Sequence, residues 1–344
     1  MRVTEMRDLT YRFKDRQIQT LMTDQDGCPV LDKAGQEIWV RYCQEFRVVS
    51  KSVDYFTGAE TLQVSLWAEA GQKIFALPRE KLTQRDILRE LLSQGLSIMD
   101  TPDDVSFILE VLHDTEAFAT IQYEHSRLGF INNDDRLTFL HYQPISYNSS
   151  SSLKNMSIYN EPERVCPSGT LEDWLQFIEA QVLGHDNLEL ALALSVTAPV
   201  SYLLKEAGTL SDYPIWALIG DSSTGKTTSL KLIASVWGSP DENSGLLFDL
   251  HATENAIYML MAKNQGVPVL LDETSSVPNW SFDNFLYNLP KGHGKLRCDS
   301  KGDLREIDHF AGAVIFTGEQ SLFLQTKMND GIFARLLEFT LPWT

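Results

Sequence analysis

The stretch Gly220–Thr228, GDSSTGKTT, constrains this chain more than any other. An apolar run, Tyr213–Ile219 (YPIWALI), leads into it, and a helix-forming run through Trp237 leaves it. The pattern G-x-x-x-x-G-K-[ST] thus stands in the strand–loop–helix context that gives it meaning. Gly220 and Gly225 permit a tight loop whose amides point inward at anionic oxygens, and a helix starting near Lys226 adds positive potential there. The order after the first half agrees with a parallel sheet flanked by helices: two helices, then strand, loop, helix, strand, helix, strand, helix, hairpin and strand.

Side-chain chemistry suggests roles within that frame. Gly220, Asp221, Ser222, Ser223, Thr224, Gly225, Lys226, Thr227 and Thr228 form the expected ATP cradle. Lys226 supplies a point charge to the β- and γ-phosphates, and the Thr227 hydroxyl ligates Mg²⁺. Downstream, VPVLLDETS (Val267–Ser275) reads as a buried strand with two carboxylates at its C-terminal end, where open parallel sheets hold ligands. Asp272 is expected in the Mg²⁺ shell and Glu273 as the group that polarises the attacking water. A third apolar strand, Ala311–Phe316, ends at Thr317, a candidate sensor of the γ-phosphate. Arg335, in GIFARLLEF, is a candidate to reach a neighbouring subunit's γ-phosphate.

Between the second and third of these strands lies KGHGKLRCDSKGDLR (Lys291–Arg305). Ser300–Asp303 reads as a hairpin turn, with Leu296–Asp299 and Leu304–Asp308 as its arms. Lys291, His293, Lys295, Arg297 and Lys301 would then grip single-stranded or forked DNA through its phosphates, with Lys301 at the tip.

The first half mixes strand-like runs (Glu37–Val49, Glu60–Ala68, Lys73–Leu77) with helical ones. Thr83 and Asp86 resemble a capping signal for a helix that carries Ile87, Leu88, Leu91 and Leu92 on one face and ends at Gly95. Asp103–His125 reads as a second, longer helix. Thr170 and Asp173 resemble a cap for a helix with Trp174, Phe177, Ile178 and Val182 at helical spacing, and a further helix runs from Ala191 to Lys205. The polar run Asn148–Asn155 (NSSSSLKN) is the candidate linker. The expected division is a small α+β domain over residues 1–155 and the ATPase domain over 166–344.

A net charge of −18 excludes a chain that is basic all over, so any nucleic-acid contact must be a local patch. Cys28, Cys43, Cys166 and Cys298 are dispersed and form neither a zinc pattern nor a disulfide framework. His113, His125 and His141 stand alone and read as structural or surface residues. The most apolar stretch, Leu188–Leu204, is interrupted by Glu189 and Pro199 and falls short of the roughly 18 uninterrupted apolar residues a membrane span needs. A cytoplasmic protein without membrane contact is expected.

Several segments resemble the bacterial "domain of unknown function 927" family of phage, plasmid and other mobile-element replication proteins. They are VDYFTGAE (Val53–Glu60), LPREKL with ILRELLSQG (Leu77–Gly95), GTLEDW, DSSTGKTTSL followed by SVWG, LLDE, GHGKLR and FTGE. That family is similar to superfamily III and minichromosome-maintenance-like helicases, which are AAA+ rings with a hairpin inserted before the sensor strand. The resemblance implies a hexameric, DNA-translocating ATPase. It gives Thr317 the sensor role and the Lys291–Arg305 hairpin a place in the pore, and it aligns Arg335 with the arginine such helicases place after the sensor strand. Two features depart from the pattern. Neither the helical lid or winged helix usual after that arginine nor a primase domain is expected within these 344 residues, nine of which follow Arg335.

The fold class expected is therefore α/β, a P-loop AAA+ core with an inserted β-hairpin behind a small α+β domain. The function expected is a Mg²⁺-dependent ATPase acting as a DNA helicase or translocase, as a hexameric homo-oligomer and with a primase or other replication protein as a possible partner. The alternative is a nucleotide-switched regulatory or defence ATPase without unwinding activity; a viral terminase motor fits less well, for want of a nuclease-like carboxylate cluster.

Overall fold

The computed structural model describes residues 10–98, 101–133, 136–146, 157–250, 253–273, 282–294, 309–325, 330–340 and 342. The chain divides into two compact units, Met1–Glu124 and His125–Thr344.

In the first unit, strands β1 (Tyr11–Lys14), β2 (Gln17–Leu21) and β3 (Trp39–Gln44) form an antiparallel sheet in that order. The β1–β2 hairpin closes through Asp15 and Arg16, which both hold positive φ, 54° and 62°. A two-residue hairpin turn of the mirror-image type demands this conformation at both positions. Strands β4 (Phe46–Asp54), β5 (Glu60–Ala68) and β6 (Gly71–Pro78) follow as an antiparallel meander. Helix α1 (Gln84–Gln94) starts where the Thr83 hydroxyl accepts the Asp86 N–H and ends on Gly95 in the left-handed region. Its Ile87, Leu88 and Leu91 enter a core with Phe46, Leu62, Val64 and Leu66. Leu92, expected on the same face, is 41% exposed: the buried stripe is narrower than the periodicity implies.

The expected helix Asp103–His125 divides in two. Helix α2 spans Pro102–Glu116, capped by the Thr101 hydroxyl. Thr120–His125 is instead strand β7, parallel to β4 with Ser50 opposite Thr120. The β-branched and aromatic residues of TIQY suit an extended chain, and pairing with β4 satisfies backbone groups a longer helix would have used. Arg79 and Lys51 pair with Glu60 and Glu116, tying the last turn of α2 to the sheet.

The second unit begins with an antiparallel run, β8 (Leu128–Asn133), β9 (Arg136–Leu140) and β10 (Pro144–Ser146). These residues were expected with the first domain. Strand β8 instead pairs in parallel with β14 (Asn264–Gln265) in the second unit, at a crossing only glycine allows. A Cβ on Gly129, whose φ is +96°, would lie 1.8 Å from the Gln265 carbonyl oxygen. The candidate linker Asn148–Asn155 lies outside the described residues.

Short strand β11 (Ile158–Tyr159) and helix α3 (Pro162–Val165) lead to α4 (Leu171–Gln181), capped by Thr170 on the Asp173 N–H. Ile178 and Val182 are buried as expected, whereas Phe177 is exposed. The single helix expected from Ala191 to Lys205 is two, α5 (Asp186–Ser195) and α6 (Thr197–Glu206), bent by 43°. Pro199 explains the break, since it lacks an N–H and its ring clashes with the carbonyl four residues back. No single helix among the described residues is long and apolar enough to cross a membrane.

The remaining elements are β12 (Ile215–Ile219), α7 (Lys226–Ser235), β13 (Leu247–Asp249), α8 (Glu254–Ala262), β14, β15 (Val269–Asp272), α9 (Phe282–Asn288), β16 (Val314–Gly318), α10 (Leu322–Gln325), α11 (Asp330–Phe333) and β17 (Leu336–Thr340). Five of the strands form one sheet in the order β13-β15-β16-β12-β17, and every pair is parallel. Alternate residues bury on opposite faces. Ile215, Ala217 and Ile219 join Val269, Leu271, Val314 and Phe316 in one core with Ile257, Phe285 and Leu286. Leu218, Leu270 and Ile315 join Leu230, Ile233 and Ala234 of α7 in the other. A sheet covered on both faces explains why these strands read as continuous apolar runs.

Candidate active site

Parallel strands present all their C-terminal ends along one edge. Here β12 delivers Gly220, β15 delivers Asp272 and Glu273, and β16, which lies between them, delivers Thr317. Residues 97 positions apart in sequence thus meet because the third strand was inserted between the other two.

The loop itself is held by its own chemistry. Ser223 adopts φ 61° and Gly225 φ 86°, so two left-handed residues fold the backbone over the start of α7. The Thr224 hydroxyl donates to the Asp221 carbonyl at 2.8 Å. Lys226 is buried, and its ammonium donates to the carbonyls of Gly220 at 2.8 Å and Asp221 at 2.7 Å. A lysine ammonium has three donors, and these two bonds turn it back over the loop. Ser223 stands where glycine is the natural choice, so Ser223→Gly is expected to stabilise the fold by about 0.5–1 kcal/mol. Thermal melting of the two proteins checks this; a lower Tm would contradict it.

Asp272 is the hub. One carboxylate oxygen, Oδ2, accepts the Thr227 hydroxyl at 3.0 Å. The other, Oδ1, accepts the Thr317 hydroxyl and, at 3.2 Å, the Glu273 N–H. That N–H is shared with Thr317 Oγ1, also at 3.2 Å. Thr317 is 1% exposed, so its hydroxyl is fixed as donor to Asp272 and acceptor from Glu273. Hydrogen bonds to a charged acceptor are worth about 1.5–3 kcal/mol each, enough to hold Glu273 with φ at 64°, outside the usual range for a side-chain-bearing residue.

Thr227 and Asp272 converge with hard oxygen donors, the ligand type Mg²⁺ prefers. Among the described residues no group of three or more His, Cys, Asp or Glu is arranged to hold a metal. An ion held here would take its remaining ligands from phosphate oxygens and water. Asp249, at the end of β13, pairs in register with Asp272 and brings a further carboxylate to this edge. A three-residue strand gives almost no periodicity, so Asp249 carries no signal of its own in the sequence. On the exposed face of α7, Lys231 has its pKa raised, first by the ion pair with Glu242 and less by Asp272.

Arg335 sits elsewhere. It immediately precedes β17, whose Leu336 pairs with Ile215 at the start of β12. The length of a five-residue strand, about 17 Å at 3.3 Å per residue, separates that edge from the loop. There Arg335 Nε donates to Asp212 Oδ2 at 2.8 Å, Nη1 donates to the Gly331 carbonyl at 2.9 Å, and the guanidinium lies 5.1 Å from the centre of the Tyr287 ring. Lys291 approaches the same ring at 4.4 Å and donates to Asn288 Oδ1. Next to it, His293 and His309 form an antiparallel bridge, and the Phe310 N–H donates to the Gly292 carbonyl. The two ends of the expected hairpin therefore come together; its arms, with Lys295, Arg297 and Lys301, lie outside the described residues. Of the lone histidines, His113 is exposed on α2, whereas His125 bonds Ser157 Oγ and the His141 carbonyl, and His141 Nε2 bonds the Trp237 carbonyl. Burial lowers the His141 pKa.

The model of the domain of unknown function DUF927 matches residues 25–309. This chain belongs to the DUF927 family. The matched residues include Lys226, Thr227, Asp272 and Glu273, while Thr317 and Arg335 lie beyond them. No protein of curated function matches the chain. Among solved structures, this DUF927 chain shares its fold with the "SCCmec type IV Cch - active helicase", at a TM-score of 0.67 and 23% identity. The alignment covers 97% of this chain and 59% of that one, so the chain spans under two thirds of its structural relative. NtrX from Brucella abortus aligns at a TM-score of 0.24 and 14% identity, covering 55% of this chain and 47% of that one, too little to carry an argument.

Proposed function

We propose that this DUF927 protein is a Mg²⁺-dependent ATPase with an AAA+ core, acting as a ring-forming DNA helicase or translocase in the replication of a mobile genetic element. The observation that carries the reading is the convergence of Lys226, Thr227, Asp272, Glu273 and Thr317 on one edge of a parallel sheet, with the Thr317 strand between the other two. Similarity of fold to the Cch helicase supports the DNA-directed part.

Each residue then has a task. Loop amides and Lys226 bind the phosphates, which requires the ammonium to exchange the Gly220 and Asp221 carbonyls for phosphate oxygens. Thr227 and Asp272 would hold a Mg²⁺, which would supply charge neutralisation at the phosphates. Glu273 takes the proton of the attacking water, and Thr317 fixes Glu273 through its backbone N–H. Arg335 serves the site of a neighbouring subunit, a reading supported by its place at the sheet edge remote from the loop of its own chain. The hairpin beginning at Lys291 contacts DNA phosphates.

Single-stranded DNA is expected to stimulate ATP turnover, and Lys301→Glu to remove that stimulation while leaving nucleotide binding intact. Steady-state ATPase assays with and without oligonucleotide check this. Equal turnover with and without DNA in the parent protein would favour the nucleotide-switch alternative.

A further inference from the structure

The three-stranded sheet of the first unit has two unlike faces. Tyr11, Ile18 and Cys43 are buried in the core. The register sets Arg12 opposite Gln19 on one side and Lys14 opposite Gln17. Between β2 and β3 the register shifts after Ile18, so that Gln19 faces Arg41 and Leu21 faces Trp39. Cross-strand partners share a face and successive residues alternate. The bulge therefore turns Arg41 and Trp39 onto the same outer face as Arg12, Lys14, Gln17 and Gln19. The contacts agree: Arg12 Nε donates to Gln19 Oε1 at 3.0 Å, and the Arg12 guanidinium lies 4.3 Å from the centre of the Trp39 ring. At the hairpin tip, the exposed Arg16 stacks 4.4 Å from the Trp67 ring centre.

We propose that this face is a binding site for single-stranded nucleic acid. Across β1–β3 and the tip, Arg12, Lys14, Arg16 and Arg41 are joined by one acid, Asp15. In a chain of net charge −18 this is a local concentration of positive charge. Lys14, Arg16 and Arg41 are exposed and have no ion-pair partner among the described residues. Arg12 spends one of five donors on Gln19, leaving the others for phosphate. Lysine and arginine on a sheet face, interleaved with tryptophan, form the combination that tracks a single strand. The cations hold the phosphates, while exposed bases stack on indole rings or guanidinium planes. A purely acidic peptide would use the charges and leave Trp39 without a role. Arg16 adds a further sign. It keeps a positive φ at a turn position where glycine costs least, and there holds its guanidinium beside Trp67 at the edge of the basic face.

The experiment is fluorescence anisotropy of labelled dT20, U20 and a dT20·dA20 duplex with the full chain, without nucleotide, across a KCl series. Without nucleotide there is no hydrolysis, and the assay is run on a Lys295→Glu/Arg297→Glu/Lys301→Glu background, so that the proposed DNA-binding hairpin no longer attracts phosphate. Both single strands are expected to bind more tightly than the duplex. The pair Arg12→Gln with Arg41→Gln is expected to weaken dT20 by at least about tenfold and to lower the salt slope by about 1.4, at about 0.7 per lost phosphate contact. Arg16→Gly is expected to weaken binding severalfold while raising Tm, which separates loss of contact from loss of fold. Trp39→Phe should keep more affinity than Trp39→Ser. Unchanged affinity and slope in the Arg12/Arg41 pair, tighter binding of the duplex, or displacement of dT20 by an equal charge of polyglutamate would overturn the proposal. Absence of DNA-stimulated ATPase alone would bear on the function proposed above and leave this site standing.

Discussion

Glu273→Gln is expected to cut steady-state ATP turnover by about 10²–10⁴-fold, the range for losing a general base, while ATP still binds. The amide is isosteric with the carboxylate but takes no proton from water. Two of the bonds that position residue 273 run through its backbone N–H, to Asp272 Oδ1 and Thr317 Oγ1 at 3.2 Å each. They survive the substitution, so the Gly220–Thr228 loop is expected to keep its shape and the variant to hold ATP without discharging it. Turnover measured beside binding of a fluorescent ATP analogue separates the two effects. Turnover within threefold of the parent would remove Glu273 from the chemistry.

Arg335→Ala is the second large effect. Charge supplied to the transition state by an arginine from a neighbouring subunit is worth about 10³–10⁵ in rate. Arg335 is tied to Asp212, Gly331 and Tyr287 at the edge remote from its own loop. If it acts within its own chain only as an ion-pair partner, its loss costs about 0–1 kcal/mol of stability and leaves turnover nearly intact. If it serves a neighbour, turnover falls by about 10³, and mixing distinguishes the cases. Arg335→Ala and Lys226→Ala proteins, each inactive alone, should regain part of the activity when combined, because some interfaces then join an intact loop to an intact arginine. No recovery on mixing, with both variants folded, would contradict action between subunits.

Much of this site was legible in the sequence because the chemistry sits at strand ends. Apolar runs leading to GDSSTGKTT, LLDE and FTGE mark buried strands, and parallel pairing brings their C-terminal ends together. Thr83, Thr101 and Thr170 cap helices through side chain–backbone bonds to residues three positions on; two of these were legible as local signals. What was not legible depends on tertiary pairing. No Gly or Pro separates α2 from TIQYEH, so the change to a strand shows only once β4 offers it an edge, and β8 leaves the first domain because β14 lies beside Gly129. The β2–β3 bulge that turns Arg41 outward leaves no mark in composition. Nor does sequence show that Arg335 and Lys291 meet on Tyr287, since that contact joins segments on opposite sides of β16.

The most direct test of the central claim is the hydrolysis of ATP by the parent chain with Mg²⁺ and with EDTA, beside Asp272→Ala and Lys226→Ala. The geometry of Thr227, Asp272 and Lys226 predicts turnover with Mg²⁺, none with EDTA, and none in either variant. Equal phosphate release by the parent and both variants, or turnover indifferent to EDTA, would contradict it.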